Sequence, residues 1–475
     1  STRSGLTLRN TINSIKIEQM TFDDISGDVI SLNGIFLSND AGKPNLPSIS
    51  RHIAIPKGSD VSIKVKNVKS KTINNIDILP APQPQLDTDN SPAIHLRDSS
   101  VYMKNQLFPL NPYIISDKMF IRDVEVVMVS ITPFQYNPVS KDLIVKYDVE
   151  LEITFEGGKD IVSEVKYRNP AWDKIINDMV LNNNILEEID YHSFIKDAVE
   201  RDSEGCEYLI ICPDNDQMLQ LADSLKLFRN QQGVLTKVIT VSECGGNDYN
   251  TIKNYIRDAY YNWAIPPAAV LLMGDHNSDK TQGIVSHTMY NHIEPSYNPY
   301  ISDNAYGDVN GDDLPDVVIA RITGRDYDEM YHMINKNLSY ERQPPTNYGF
   351  YNKPITAMGF QLERWFQLCS EVVGGFWRTL GKNPVRQNAI YDGEPGYIWS
   401  TYEMTGTVLN YFGPNNLNYI PQNMSHLTEW DANANSVNEA INNGAFIIQH
   451  RDHGAEELWG EPSYSINSIK KLSNK

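Results

Sequence analysis

A mostly parallel α/β sheet flanked by helices, preceded by an all-β sandwich or barrel, is the architecture this sequence predicts, on three observations. Residues 1–158 carry short runs of alternating apolar and polar residues separated by Pro and Gly clusters, the period-2 signature of antiparallel strands with one buried face. From Glu207 onward, apolar runs alternate with amphipathic segments, as in parallel strands covered by helices on both faces. Polar, reactive residues also stand where several of those runs end, at Cys212, Asp275, His276 and His453, and the carboxyl ends of strands are where such sheets gather their chemistry. At 475 residues the chain is too long for one core. We expect a β-rich part over 1–158, a helical linker over 159–204, and two α/β parts over 205–345 and 346–475.

In the first part, "VISLNGIFLS", "HIAIPKGSDVSIKVKNV", "EVVMVSITPFQYNP" and "DLIVKYDVELEITFEGG" read as strands, and Gly157–Gly158 close the segment. Pro170 to Val199 sets apolar residues at helical intervals without enough of them for a core of its own. Next come a strand in "EYLIICPD", a helix from Gln217 to Gln232, a strand in "LTKVITV", a helix from Tyr249 to Asn262 and a strand in "AAVLLMGDH". "KPITAMGF", a helix from Glu363 to Leu380, and "GAFIIQH" are expected to continue the same sheet.

Composition narrows the function classes. A hydrophobic content of 40% with 10% aromatic residues fits a soluble globular protein, and a net charge of −19 opposes nucleic-acid or anionic-membrane partners. No apolar run reaches the length of a membrane span. Ser1-Thr2-Arg3-Ser4 is no signal peptide, which suits a cytosolic protein or a secreted one already trimmed. Cysteines at 206, 212, 244 and 369 have neither a zinc spacing nor the density of a disulfide scaffold.

In "GAFIIQHRDHGAEELWG", residues 444–460, an apolar run stops at a polar turn containing His453 and Gly454. An imidazole there can draw a proton from a thiol, and Gly454 can bring a backbone N–H to a developing oxyanion. The same residues also suit an ordinary hydrogen-bonded histidine at a loop start. Cys212, at the end of "EYLIIC", is the one cysteine placed to meet such a base; otherwise it is a small buried residue capping a core strand.

The segment "INNGAFIIQHRDHGAEELWGEPSYSINSIKKLSNK" resembles the region around the catalytic histidine of gingipain-type cysteine peptidases, whose fold is caspase-like. "AAVLLMGDH", "DLPDVVIARITGRDYDEMYHMINKNLSYER" and "GFQLERWFQLCSEVV" resemble the same family in the same order, so the likeness covers about residues 205–475. "GKPNLPSISRHIAIPKG" and "ITPFQYNPVSKDLIVKYDVELEI" resemble the family's propeptide. The resemblance implies a secreted or cell-surface bacterial endopeptidase that cuts proteins or peptides after Lys or Arg, with His453 as base, Gly454 as oxyanion contributor and the N-terminal part as inhibitor. It places the nucleophilic cysteine after a helix here read as Tyr464 to Leu472, beyond Lys475. Either the sequence is cut short there, or the precursor is cleaved after Lys475 and a C-terminal fragment carries the cysteine. The second is favoured, since a lysine suits an enzyme that cuts after basic residues.

Several positions take roles from this resemblance. Lys118 and Arg122 are candidates for a basic side chain that mimics the substrate's P1 residue and blocks the cleft; exposed strand-edge charges are the alternative. Arg201 is a natural site for release of the N-terminal part. The family often orients its histidine with a carboxylate from the end of "KPITAMGF", but Gly359, Phe360 and Gln361 stand there, and Glu363 is the nearest acid. Arg451 replaces a small residue of the family's P1 pocket and either opposes a basic side chain or pairs with Asp452 or Glu456.

"YGDVNGDDLPDVVIAR" sets Asp308, Asn310, Asp312 and Asp316 at relative positions 1, 3, 5 and 9, with the Leu314 carbonyl at 7 and Gly311 allowing the turn. Alternating oxygens on a tight loop suit structural Ca2+, against the alternative of a solvated acidic turn. Histidines 276, 287 and 292 lack a zinc motif and read as satisfied loop residues. Two rival readings stand beside the peptidase: a non-enzymatic calcium-bound surface or interaction protein with a degenerate peptidase domain, and an amidase using Cys212.

Overall fold

The computed structural model describes residues 1–22, 25–32, 34–35, 37–84, 94–201, 204–291, 298–402, 404–421, 427 and 429–474. His292 and Lys475 lie outside them. The N-terminal part has two four-stranded antiparallel sheets face to face and a separate antiparallel pair, Lys16–Phe22 with Ile25–Ser31. In one, the long strand Asp142–Glu156 runs between Gly5–Thr11 and Asp60–Ile73, with Phe134–Asn137 pairing its first residues. In the other, Val124–Ile131 is flanked by Ile49–Ala54, Tyr113–Ile115 and Met119–Ile121. Strand alternation explains the shared core. Val149, Leu151, Ile153 and Phe155 point inward from the first sheet to meet Ile53, Val127 and Val129 from the second. Asp148 sits at a register shift of the long strand, where Arg9 grips it through two hydrogen bonds of 2.9 and 3.0 Å.

Two helices, Pro170–Met179 and Tyr191–Glu200, follow. Trp172 and Ile176 of the first are buried in the sandwich core. The indole N–H of Trp172 donates to the carbonyl of Ala268 at 2.9 Å, tying this segment to what comes next.

The α/β region starts with four parallel strands in the order Thr236–Thr240, Tyr208–Cys212, Ala269–Met273, Val318–Ile322. Helix Tyr249–Asn262 covers one face through Ile252, Ile256 and Ala259. Helices Asp216–Gln231 and Tyr327–Arg342 cover the other through Leu221, Leu225, Met330 and Ile334. Asn215, Asp248 and Asp326 cap these three helices by accepting their first free amides.

The second group of strands forms its own parallel sheet rather than extending the first: Ile355–Met358 lies between Val385–Asn388 and Ile448–Arg451. A further difference concerns the expected helix from Tyr464 to Leu472. Tyr464–Ser465 instead closes a small antiparallel sheet with Gly454–Ala455 and Leu458–Trp459, and the helix is the single turn Ile466–Ile469. Ser465 and Ser468 cap each other, so the turn starts only after the strand pairing has been satisfied.

Candidate functional site

The central strand Ile355–Met358 and its neighbour Ile448–Arg451 run parallel, Met358 opposite Arg451, so both deliver their following residues to the same end of the sheet. Gly359 N–H donates to the carbonyl of Arg451 at 3.2 Å, which holds the two exits together. Next along one exit is Asp452. Its carboxylate accepts from the amides of His453, at 2.7 Å, and Glu461, at 2.6 Å. The turn it fixes is packed so closely that a Cβ on Gly359 would stand 1.9 Å from Asp452 Oδ2. Gly359 is therefore required for this turn to sit where it does.

His453 is exposed, and its Nε2 lies 3.2 Å from Gln361 Oε1. An amide oxygen can only accept, so this contact puts a proton on Nε2 and leaves Nδ1 as the nitrogen that can act as base. Gln361 is held in turn by an unusual backbone. Leu362 and Glu363 both have left-handed φ, 46° and 58°, a costly conformation for side-chain-bearing residues. The Glu363 carboxylate stabilises it by accepting from Thr401 N at 2.8 Å and Thr401 Oγ1 at 2.9 Å. Arg364 is fully buried and donates to the carbonyls of Ile398 and Tyr391. Glu363 thus supports the turn, and the side chain that touches the histidine is Gln361. The sequence offered a sign of this only in the position of Gln361 at a strand exit; as a neutral residue it was passed over for the nearest acid.

Arg451 pairs with neither Asp452 nor Glu456 as its partner: its guanidinium lies over the Phe366 ring, 4.6 Å from the centroid, and reaches the Cys369 thiol. Phe366 also approaches the His453 ring, at 6.4 Å between centroids. On the opposite face His450 stacks on Trp459 at 4.1 Å, and burial holds its pKa down. Gly454 is exposed, has an ordinary φ, and an added Cβ would meet nothing nearer than 3.4 Å. Its immediate surroundings do not demand glycine.

The thiols do not complete this site. Cys212 is fully buried between strand and helices, and desolvation pushes its pKa up to about 12, so the amidase reading built on it is overturned. Burial likewise raises Cys206 and Cys244 to about 12. Cys369 is raised by burial despite the opposing pull of Arg451.

Other sequence candidates lie elsewhere. Lys118 stays near carboxylates of its own sandwich, 3.6 Å from Asp60 and 3.7 Å from Glu125. Arg122 is buried against Tyr167, Pro266, Pro267 and Asp316, none of which contacts His453, so the structure does not bring it to the histidine. Arg201 is exposed at the end of the second linker helix, 4.0 Å from Asp197. His276 Nδ1 accepts from Ser286 N–H at 2.8 Å, and His287 stacks on Tyr249 at 3.9 Å.

In the acidic loop, Asp308 accepts from the amides of Gly311 and Asp312, and Asp312 from Leu314. Asp316 is fully buried, accepts from Val309 N–H at 3.1 Å, and is pushed up to about 7 by desolvation and by the nearby Asp312 and Asp308. Among the described residues no three acidic, histidine or cysteine groups converge as a ready coordination sphere. The donor set nevertheless suits a hard cation, and the buried Asp316 carboxylate is a charge in want of one.

The folded chain is thus an α/β domain with a histidine at the carboxyl ends of its parallel strands, preceded by a β-sandwich. Comparison with known families agrees with that class. The profile of peptidase family C25 matches residues 201–475 and that of the C25 propeptide matches residues 1–191, so the chain belongs to peptidase family C25. Similar proteins include Gingipain R2 of Porphyromonas gingivalis, 23% identical over 92% of this chain and 52% of its own length. Lys-gingipain of the same organism is 20% identical over 94% of this chain and 23% of its own. The chain spans about half the length, or less, of these curated relatives. Among solved structures, an Arg-specific gingipain R aligns over 57% of this chain and 52% of its own at 18% identity with a TM-score of 0.38. A complex of gingipain pro- and mature domains from P. gingivalis aligns over 38% of this chain and 93% of its own at 18% identity with a TM-score of 0.34.

Proposed function

We propose that this chain carries the prodomain and the histidine-bearing part of a secreted or cell-surface bacterial cysteine endopeptidase in zymogen or nicked form. The contact between His453 and Gln361 carries the reading. It orients the ring, selects the tautomer with a basic Nδ1, and does so at an open strand end where a substrate can approach. In the proposed reaction Nδ1 takes the proton of a cysteine thiol, the thiolate attacks the scissile carbonyl, and the imidazolium returns the proton to the leaving amine. Gly454 N–H is the proposed oxyanion donor. Since Cys206, Cys212 and Cys244 are sealed in the core and Cys369 touches Arg451, the nucleophile is proposed to come from polypeptide outside these 475 residues, on a C-terminal fragment of the same precursor.

A basic P1 residue is part of the proposal, supported by the net charge of −19, which favours approach of cationic peptides. Arg201 is the proposed processing position. Structural Ca2+ in the loop of Asp308, Asn310, Asp312, Leu314 and Asp316 is proposed on the burial of Asp316. The test is expression of the full-length precursor with and without His453→Ala. Autocatalytic processing should stop in the variant; processing that is equal in parent and variant, with no peptide hydrolysis by either, would favour a non-enzymatic, calcium-bound surface protein.

A further inference from the structure

Arg122 is almost completely buried, at 2% exposure, yet its acceptors are main-chain carbonyls rather than a carboxylate. Nε donates to Tyr167 O, Nη1 to Pro267 O at 3.1 Å and Asp316 O at 2.8 Å, and Nη2 to Pro266 O at 3.5 Å. Trp172 and Tyr260 present their rings to it, with centroids 5.5 and 5.4 Å from Cζ. The turn that delivers it is rigid. Arg122 has φ of 56°, and the next residue, Asp123, is bound by Lys57 and by Glu164 N–H. A guanidinium suits such a socket because its donors radiate in one plane and each can meet a different carbonyl while the flat faces rest on aromatic rings.

The partners come from two sides of the exposed Arg201. Tyr167 and Trp172 precede it, whereas Tyr260, Pro266, Pro267 and Asp316 follow it. Pro266, Pro267 and Asp316 stand just before the strands Ala269–Met273 and Val318–Ile322, so the socket is at the amino ends of the first parallel sheet. Other contacts cross between the same two sides around it. Phe120 N–H donates to Asp312 Oδ2 at 2.6 Å, Trp172 to Ala268 O, and the buried Glu207 accepts from Tyr191 OH at 2.8 Å and Asn169 Nδ2 at 3.2 Å.

We infer that Arg122 is the anchor that docks the N-terminal sandwich on the first α/β sheet, as a plug in a carbonyl-lined, aromatic-walled socket remote from His453, and that it holds the two parts together after the chain is cut at Arg201. The site is an interaction surface, and a guanidinium on a rigid turn is the partner it fits.

The test uses the full chain with a recognition sequence for a site-specific protease inserted after Arg201. After cutting, the parent fragments should elute as one complex, and dilution on a sizing column reads their dissociation constant. Arg122→Ala should raise that constant at least about 100-fold, since a plugged charge is lost and its acceptors are left bare. Arg122→Lys, a point charge that cannot span the carbonyls, should raise it about 10-fold, and Tyr260→Leu, on the other side of the cut, about 5-fold. Each variant is used only if the uncut chain melts cooperatively; should Arg122→Ala fail that check, the other two decide. Parent-like affinity in the folded variants would overturn the inference. No step requires catalysis, so the result is independent of the peptidase reading.

Discussion

The Arg122 socket and the His453 turn are both polar sites at strand ends, but they are finished to different degrees. Arg122 is enclosed, and each of its guanidinium nitrogens donates to a carbonyl of this chain. His453 is exposed, with one side-chain contact on one nitrogen and an aromatic ring at 6.4 Å. A charge that serves to hold two parts of a protein must be satisfied by the protein, because an unmet buried charge costs several kcal/mol. A base that serves a reaction must instead keep one position open.

The contrast can be broken in four places. The largest effect is expected at the open site: His453→Ala, with parent and variant precursors cut by the same added protease, should lower kcat/KM on basic peptides by about 10³-fold or more, and a loss below about tenfold would remove the histidine from the chemistry. Gly359→Ala, which drives a methyl into Asp452, should cost about 10²-fold by displacing the histidine turn. Retention of full activity would show that the turn can move without consequence.

Gln361→Ala should cost about tenfold. Nitrogen NMR on the present chain offers a reading independent of activity. The parent should show His453 as the Nε2–H tautomer, and the variant a mixture; an unchanged spectrum would mean that Gln361 does not orient the ring. The smallest effect belongs to the acidic loop. Asp316 has its folded pKa raised to about 7, so its contribution to stability is complete below the ordinary carboxylate pKa and is lost as pH rises through about 7. With EDTA at pH 8, Asp316→Asn should therefore raise the melting midpoint by about 2–4 °C, and by little at pH 4. With calcium the order should reverse, and an EDTA-insensitive midpoint in the parent would count against a bound cation.

How much of this was legible in sequence depends on how local the cause is. The helix Tyr249–Asn262 was read to the residue, because its apolar period and the cap at Asp248 lie within one segment. The strand carrying His450 and Arg451 was legible from its apolar run and the polar turn that ends it. The helix expected from Tyr464 was misjudged because pairing with Leu458 and Trp459 claims its first residues. Gln361 was missed because only its neighbour across the sheet gives a neutral amide a role.

By itself, the sequence determined the alternation of strands and helices, the β-rich start, the strand end bearing His453 and the spacing of the acidic loop, since each depends on periodicity or on residues a few positions apart. Only the tertiary structure decided that Arg122 is buried against main-chain carbonyls, that Cys212 is sealed in a core, and that Gln361 touches the histidine. Those outcomes rest on contacts between residues 92 to 194 positions apart and on burial, which exists only once the layers have packed.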